Sequence, residues 1–85
     1  MNQKQPTQSR NYKLASEQVR SATPVSIIEL ISRQLDRADD AKERIDREGS
    51  VVRDMKGSVI AHPAIAIEKE ATKLSAELLG KYAKR

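Results

Sequence analysis

The fold is decided by the stretch from Arg47 to Ala71, which has the sequence REGSVVRDMKGSVIAHPAIAIEKEA. It contains a glycine that can end a helix, two short β-branched segments, and a His-Pro pair that can begin another helix. The segments Ser50–Arg53 and Ser58–Ala61 flank Asp54–Gly57, whose final glycine suits a type I turn followed by a bulge. This stretch therefore predicts a β-hairpin between two helices.

Helical patterns extend on both sides of this hairpin. Thr23 as a capping hydroxyl with Pro24 at the first helical position predicts the start of the first helix, and Gly49 predicts its end. Ser26 with Glu29 has capping-box spacing and is a second candidate start. The second helix is predicted from Pro63 to Gly80. Apolar steps of three and four predict a buried stripe on each helix, formed by Ile28, Ile31, Leu35, Ala38 and Ile45 with Lys42 in the remaining place, and by Ile67, Ala71, Leu74 and Leu78.

The predicted fold class is mainly α, an antiparallel helical hairpin with a short β-hairpin between its two helices. This domain is expected to span residues 24–80. A flexible basic N-terminal arm over 1–23 precedes it, and weak helical spacing within the arm favours a short helix at 12–20. A basic tail over 81–85 follows.

The composition leaves this domain short of large apolar side chains. The chain has 85 residues, no Phe, no Trp and no Cys, and its only aromatic residues are Tyr12 and Tyr82. A chain of this size buries only about 60% of its unfolded surface, so its own core is marginal. Without disulfides or a thiolate metal site to reinforce it, oligomerisation is the expected route to stability.

The start of the first helix indicates where subunits meet. Apolar residues surround that helix almost completely over its first two turns, and the end of the second helix lies beside it in an antiparallel hairpin. Alternatively, residues 12–20 fold back and cover this surface within one chain. The predicted oligomer contact comprises Val25, Ile27, Leu30, Ile31, Leu78, Leu79 and Tyr82.

The net charge of +4 is concentrated at the two ends of the chain, because residues 24–80 hold nine basic and eleven acidic residues. Basic ends on a slightly acidic body suit a polyanion, since Lys and Arg reach phosphates and release counterions. The alternative is that the ends only keep the protein soluble. The candidate DNA-binding residues are Lys4, Arg10, Lys13, Arg20, Lys81, Lys84 and Arg85.

The sequence offers little catalytic chemistry, and we expect no catalytic residue, no metal and no cofactor. The one histidine, His62, stands where a helix cap belongs, and no cysteine accompanies it. Acidic residues cluster around Asp36 and Asp40, but the arginines between them favour a solvated ion-pair face over a cation site. No phosphate-binding loop is present. No apolar run reaches the ~20 residues of a membrane span, so a soluble intracellular protein is expected.

The order of motifs around the hairpin resembles the small subunit of bacteriophage terminase. In that family a helix ending in Glu-Gly is followed by a Val-Val strand, a glycine turn, His-Pro, and an amphipathic helix rich in Ala and Leu. The similarity covers roughly residues 30–80. The matching positions here are Glu48-Gly49, Val51-Val52, Gly57, His62-Pro63, Ile67, Glu70-Ala71, Leu74 and Leu78.

This resemblance implies a non-catalytic DNA-packaging role in the cytoplasm of a bacterial host. Family members form ring-like oligomers, bind viral double-stranded DNA at the packaging start, and regulate a separate large subunit that carries the ATPase and nuclease. Family members usually have a longer N-terminal region than the 23 residues found here, and their second helix continues into a tail of leucine and proline. Two other classes remain open: a helical-hairpin protein-interaction module without specific DNA binding, and a small DNA-binding repressor.

Overall fold

The computed structural model describes residues 10–84 and confirms the predicted fold class. Three helices and one two-stranded antiparallel hairpin are present in that range, and the hairpin joins the second helix to the third. The elements in chain order are α1 (Arg10–Gln18), α2 (Val25–Glu48), β1 (Val51–Arg53), β2 (Val59–Ala61) and α3 (Pro63–Tyr82).

Helices α2 and α3 pack against each other mainly over small side chains. Ala41 of α2 and Ala64, Ala71 and Ser75 of α3 are all buried. The predicted place of Lys42 in the stripe is wrong, because Lys42 is exposed and Ala41 is buried instead. An α-helix has 3.6 residues per turn, so a strict seven-residue spacing drifts around its surface along 24 residues.

The hairpin forms at the predicted turn. Gly57 has a φ of 84°, and the side chain of Asp54 accepts hydrogen bonds from the backbone N–H groups of Lys56 and Ser58, both at 2.9 Å. Val52 stands opposite Ile60 in the strand register. Within the described residues the sheet has only these two strands, so each strand has one open edge.

The helix ends are partly as predicted. Gly49 ends α2 with a φ of 91°, and its N–H donates to the carbonyl of Ile45 at 2.7 Å. The predicted Thr23 cap is wrong, because Pro24 occupies the N-cap without a side-chain hydrogen bond and the backbone of Thr23 is turned toward Arg20. The helix begins at Val25, so the Ser26 start is not used. Gly80 does not end α3, since its φ is not positive and the helix continues to Tyr82.

Helix α1 folds back onto α2, which is the alternative arrangement for residues 12–20. Ala15 and Val19 of this segment are buried with Ile28 and Ile31 of α2 in one core cluster. Residues 10–23 therefore belong to the folded domain, and the predicted flexible arm is wrong for them. The earlier residues of that arm lie outside the described range.

This packing divides the predicted oligomer contact. Ile31 is 0% exposed and belongs to the core of its own chain, so its assignment to the contact is wrong. Four other members of the predicted contact are half-buried and pack against the same core, whereas Val25 and Leu30 are 55% and 39% exposed. Nine residues of α1 span only ~13 Å, so α1 covers about a third of α2. The half-buried members are Ile27, Leu78, Leu79 and Tyr82.

Ile31→Ala should lower the free energy of unfolding by about 2–5 kcal/mol, because Ile31 is fully enclosed and its loss leaves a cavity. Met55→Ala is the control, and its fully exposed side chain at the hairpin turn predicts a change within about 0.5 kcal/mol. Urea denaturation followed by circular dichroism measures both. Equal effects of the two substitutions would contradict the position of Ile31 in the core.

Candidate nucleic-acid interface

The structure joins the end of α1 to the end of α3. Val19 and Ala83 form an antiparallel β-bridge, the N–H of Arg20 donates to the Tyr82 carbonyl at 2.9 Å, and the N–H of Lys84 donates to the Gln18 carbonyl at 3.1 Å. This connection brings together basic residues that are about sixty positions apart in the sequence. We call Arg20, Lys81 and Lys84 the basic end.

The side chains of the basic end are exposed, but contacts within the chain restrict the conformations of Arg20 and Lys81. One guanidinium nitrogen of Arg20 donates to the Lys81 carbonyl at 2.9 Å, which leaves its other N–H groups able to reach outward. The Lys81 ammonium lies 5.7 Å from the centre of the Tyr82 ring. A cluster of exposed cations of this kind can contact phosphates, and arginine can do so through two hydrogen bonds.

The other predicted DNA-binding residues do not join this cluster. Arg10 and Lys13 are exposed on α1, and Arg10 begins this helix, whose nine residues of ~13 Å separate it from the basic end. Lys4 and Arg85 fall outside the described residues. The predicted set therefore separates into a basic end and two cations farther along α1.

A carboxylate pair lies close to the start of α1. The Asn11 side-chain amide donates to Asp36 at 2.6 Å and to Asp39 at 2.9 Å. This contact fixes the start of α1 on α2, and it puts negative charge beside Arg10. DNA phosphates should therefore be attracted to the basic end more than to Arg10. Within residues 10–84, no group of three or more His, Cys, Asp or Glu side chains is arranged to hold a metal ion.

His62 acts as a helix cap, as its position before Pro63 predicts. Its Nδ1 accepts a hydrogen bond from the Ala64 N–H at 2.9 Å, so in the neutral ring Nε2 carries the hydrogen and donates it to Glu48 at 2.8 Å. Both ring nitrogens are thus engaged, and the side chain is buried. The pair connects the end of α2 to the start of α3 behind the hairpin.

The hydrogen bond from His62 lowers the pKa of Glu48 below its ordinary value of 4.5, and the charges of Arg44 and Arg47 act in the same direction. A lowered pKa in the folded state means that the ionised carboxylate favours folding. This contribution is fully present above pH 4.5 and is lost as the pH falls through the lowered pKa.

Sequence reasoning did not identify two polar residues that the structure singles out. Asn11 was placed in the arm, and its partners are 25 and 28 positions away, so no local signal could have found them. Gln34 lies in an otherwise apolar seam of α2, and its side-chain carbonyl oxygen is buried without a hydrogen-bond partner in the described chain. The sequence does contain a signal for Gln34, because this single amide lies between Leu30 and Leu35 in the helix.

No family model, curated protein or solved structure matches this chain. None of the helices between residues 10 and 84 is both long enough and apolar enough to cross a membrane.

Glu48→Gln keeps an oxygen that can accept from His62 but removes the titrating carboxylate. We expect the variant to be less stable than the parent chain at pH ~6 and by a smaller margin at pH ~3, because the contribution of the ionised carboxylate declines as the pH falls below 4.5 toward the lowered pKa. Urea unfolding midpoints at the two pH values measure this. Glu17→Gln, on the exposed surface of α1, is the control for loss of one acidic residue. A stability difference that stays the same at both pH values would refute the role given to Glu48.

Proposed function

We propose that this chain is a non-catalytic, oligomeric DNA-packaging factor similar to the small subunit of phage terminase. In this role it binds the phosphates of double-stranded DNA through its basic end and regulates a separate large subunit that carries the ATPase and nuclease. The packaging role rests on the motif order from Glu48-Gly49 to His62-Pro63. The DNA contact rests on one observation, the convergence of Arg20, Lys81 and Lys84.

The kind of DNA contact follows from the side chains at the basic end. Nearby Tyr82 is half-buried against the core cluster and lies below Lys81, so its ring is not presented as a platform for stacking bases. Phosphate contacts position a protein on the duplex but do not distinguish sequences. We therefore expect binding that depends strongly on salt and weakly on base sequence.

Self-association in this proposal is supported by what the fold leaves uncovered. Only seven apolar residues are buried within the described chain, and four of them are alanines. Val25 and Leu30 remain exposed close to the basic end, and Val51, Val59 and Ile60 remain exposed on the hairpin. Burial of these side chains between copies of the chain would add the apolar contact that one chain lacks.

A second candidate function is a protein-interaction module whose basic end has no specific partner. The exposed apolar residues of the hairpin favour it, since an open strand edge with apolar side chains can receive a strand from another protein. Strong salt-dependent DNA binding distinguishes the two functions, because only the packaging factor requires it.

Lys84→Gln should weaken binding to a short double-stranded DNA and lower the slope of log Kd against log salt by about one, the amount expected for one lost phosphate contact. Fluorescence anisotropy across a salt series from roughly 50 to 200 mM gives both quantities. Lys56→Gln makes the same charge change at the hairpin turn and should leave the slope unaltered.

Two results would contradict the DNA part of the proposal. One is the absence of salt-dependent binding by the parent chain, whether DNA binding is unchanged by salt or is not detected at low salt. The other is an equal loss in the Lys84 and Lys56 variants, which would indicate that total charge rather than the basic end attracts DNA. The packaging role has a separate test: addition of the chain to a terminase large subunit should change ATP hydrolysis by that subunit.

A further inference from the structure

An open cleft of about 350 Å³ lies between α2 and α3. None of its lining residues belongs to α1. Asp36, which contacts α1 through Asn11, is two positions from Gln34 and therefore about 200° around the helix, on the opposite side. The cleft is thus on the side of the helix pair that α1 leaves uncovered. It is lined by Leu30, Gln34, Leu74, Glu77, Leu78 and Lys81.

We propose that a second copy of this chain docks in this cleft, with the two Gln34 side chains hydrogen-bonded to each other across a two-fold axis. This proposal deepens the self-association in the proposed function and rests on that part of it. It names the surface through which the copies meet.

The main observation is the unsatisfied oxygen of Gln34. A buried carbonyl oxygen without a hydrogen bond is costly, and the described chain supplies no donor to it. The Gln34 amide itself offers both a donor and an acceptor. Because this oxygen is shielded within its own chain, the Gln34 amide, which lines the cleft, turns about its last side-chain torsion to face a second copy, and two amides turned in this way satisfy both oxygens. A single amide in a leucine-lined helical seam has this role in coiled coils, where it pairs with its own copy and fixes the register.

The charges around the cleft allow a second copy to approach through it. The chain as a whole carries +4, so two copies repel each other when they approach through their basic surfaces. The cleft has one acidic and one basic residue, Glu77 and Lys81, and is therefore neutral; Lys81 is shared with the basic end, whereas Arg20 and Lys84 do not line the cleft and stay available to DNA. Its lining is otherwise mostly apolar, with Leu74 and Leu78 from α3 and Leu30 from α2. Two copies of such a surface meet without net repulsion.

The thickness of the molecule agrees with this arrangement. Its shortest extent is 17 Å, whereas a single helix with its side chains is ~10–12 Å across. An extent of 17 Å has room for two layers of helix but not for three, so the helix pair is covered on one side only. A second helix pair on the open side would enclose the cleft. A two-fold contact closes with two copies. A larger assembly such as a ring would need a further surface, and the hairpin edges provide one.

Leu30→Asp in the full chain should raise the dissociation constant for self-association at least about 100-fold, because both copies then bring a charge into the cleft. Leu14→Asp is the matched control, since Leu14 and Leu30 are 38% and 39% exposed and Leu14 lies on α1. Sedimentation velocity over a concentration series measures the constants, and circular dichroism verifies that each variant folds. Similar association of both variants would overturn the proposal.

Substitutions at Gln34 test the proposed amide pair. Gln34→Glu sets two carboxylates against each other, so association should be lost at neutral pH and recovered near pH ~4, where glutamate becomes protonated. Gln34→Leu removes both polar partners together and should leave association intact or stronger. Gln18→Glu, on exposed α1, should not change the mass at either pH. A Gln34→Glu variant that associates normally at neutral pH would refute the pairing.

These results are separable from the proposed DNA function. If Leu30→Asp leaves the mass unchanged while the parent chain binds DNA with the expected salt dependence, the cleft assignment fails and the DNA proposal stands. If the parent chain is a monomer at all concentrations, both the cleft assignment and the oligomeric part of the proposed function fail.

Discussion

The packing of α2 against α3 over alanine and serine is the constraint on which the rest of the structure depends. Small side chains such as Ala41, Ala71 and Ser75 allow the two helices to approach closely, but each buries little apolar area. The larger apolar residues are displaced to the margins of the helix pair. On one margin α1 covers them, and on the other margin Leu30, Leu74 and Leu78 line an open cleft.

The junction between the end of α1 and the end of α3 makes the two ends of the molecule different in charge. The bridge of Val19 with Ala83 holds α1 in place and concentrates Arg20, Lys81 and Lys84 at the end distant from the hairpin. The proposed DNA contact is therefore at one end of the molecule, and the proposed contact between copies is on the uncovered side of the helix pair close to that end. Pairing of two chains through the cleft would bring two basic ends into one particle, which would multiply the number of phosphates contacted.

Local signals were sufficient to predict the central elements from sequence. Gly49 and Gly57 both adopt the positive φ values that their positions required, and His62 forms the cap that a residue before a helix-starting proline can form. These features depend only on neighbouring residues. For the same reason the hairpin and the two long helices were predicted correctly.

The errors at Thr23 and Ile31 concern interactions between distant parts of the chain. Thr23 resembled a cap, but its backbone takes part in the turn that returns α1 to the helix pair. Ile31 resembled an oligomer contact because its cover, α1, is supplied by a segment whose own pattern was weak. The basic end could be predicted as a list of charges, but not as a cluster, because the bridge that creates it has no signature in the sequence.

The dependence of thermal stability on protein concentration tests the central claim most directly. If one chain encloses too little apolar area and completes its interior with another copy, the folded state is linked to association and its Tm rises with concentration. We expect an increase of at least ~5 °C over a hundredfold range of concentration, a size that follows from the steep dependence of Tm on free energy in small domains. A Tm that stays constant over that range would contradict the account, since it would show that a single chain is stable by itself.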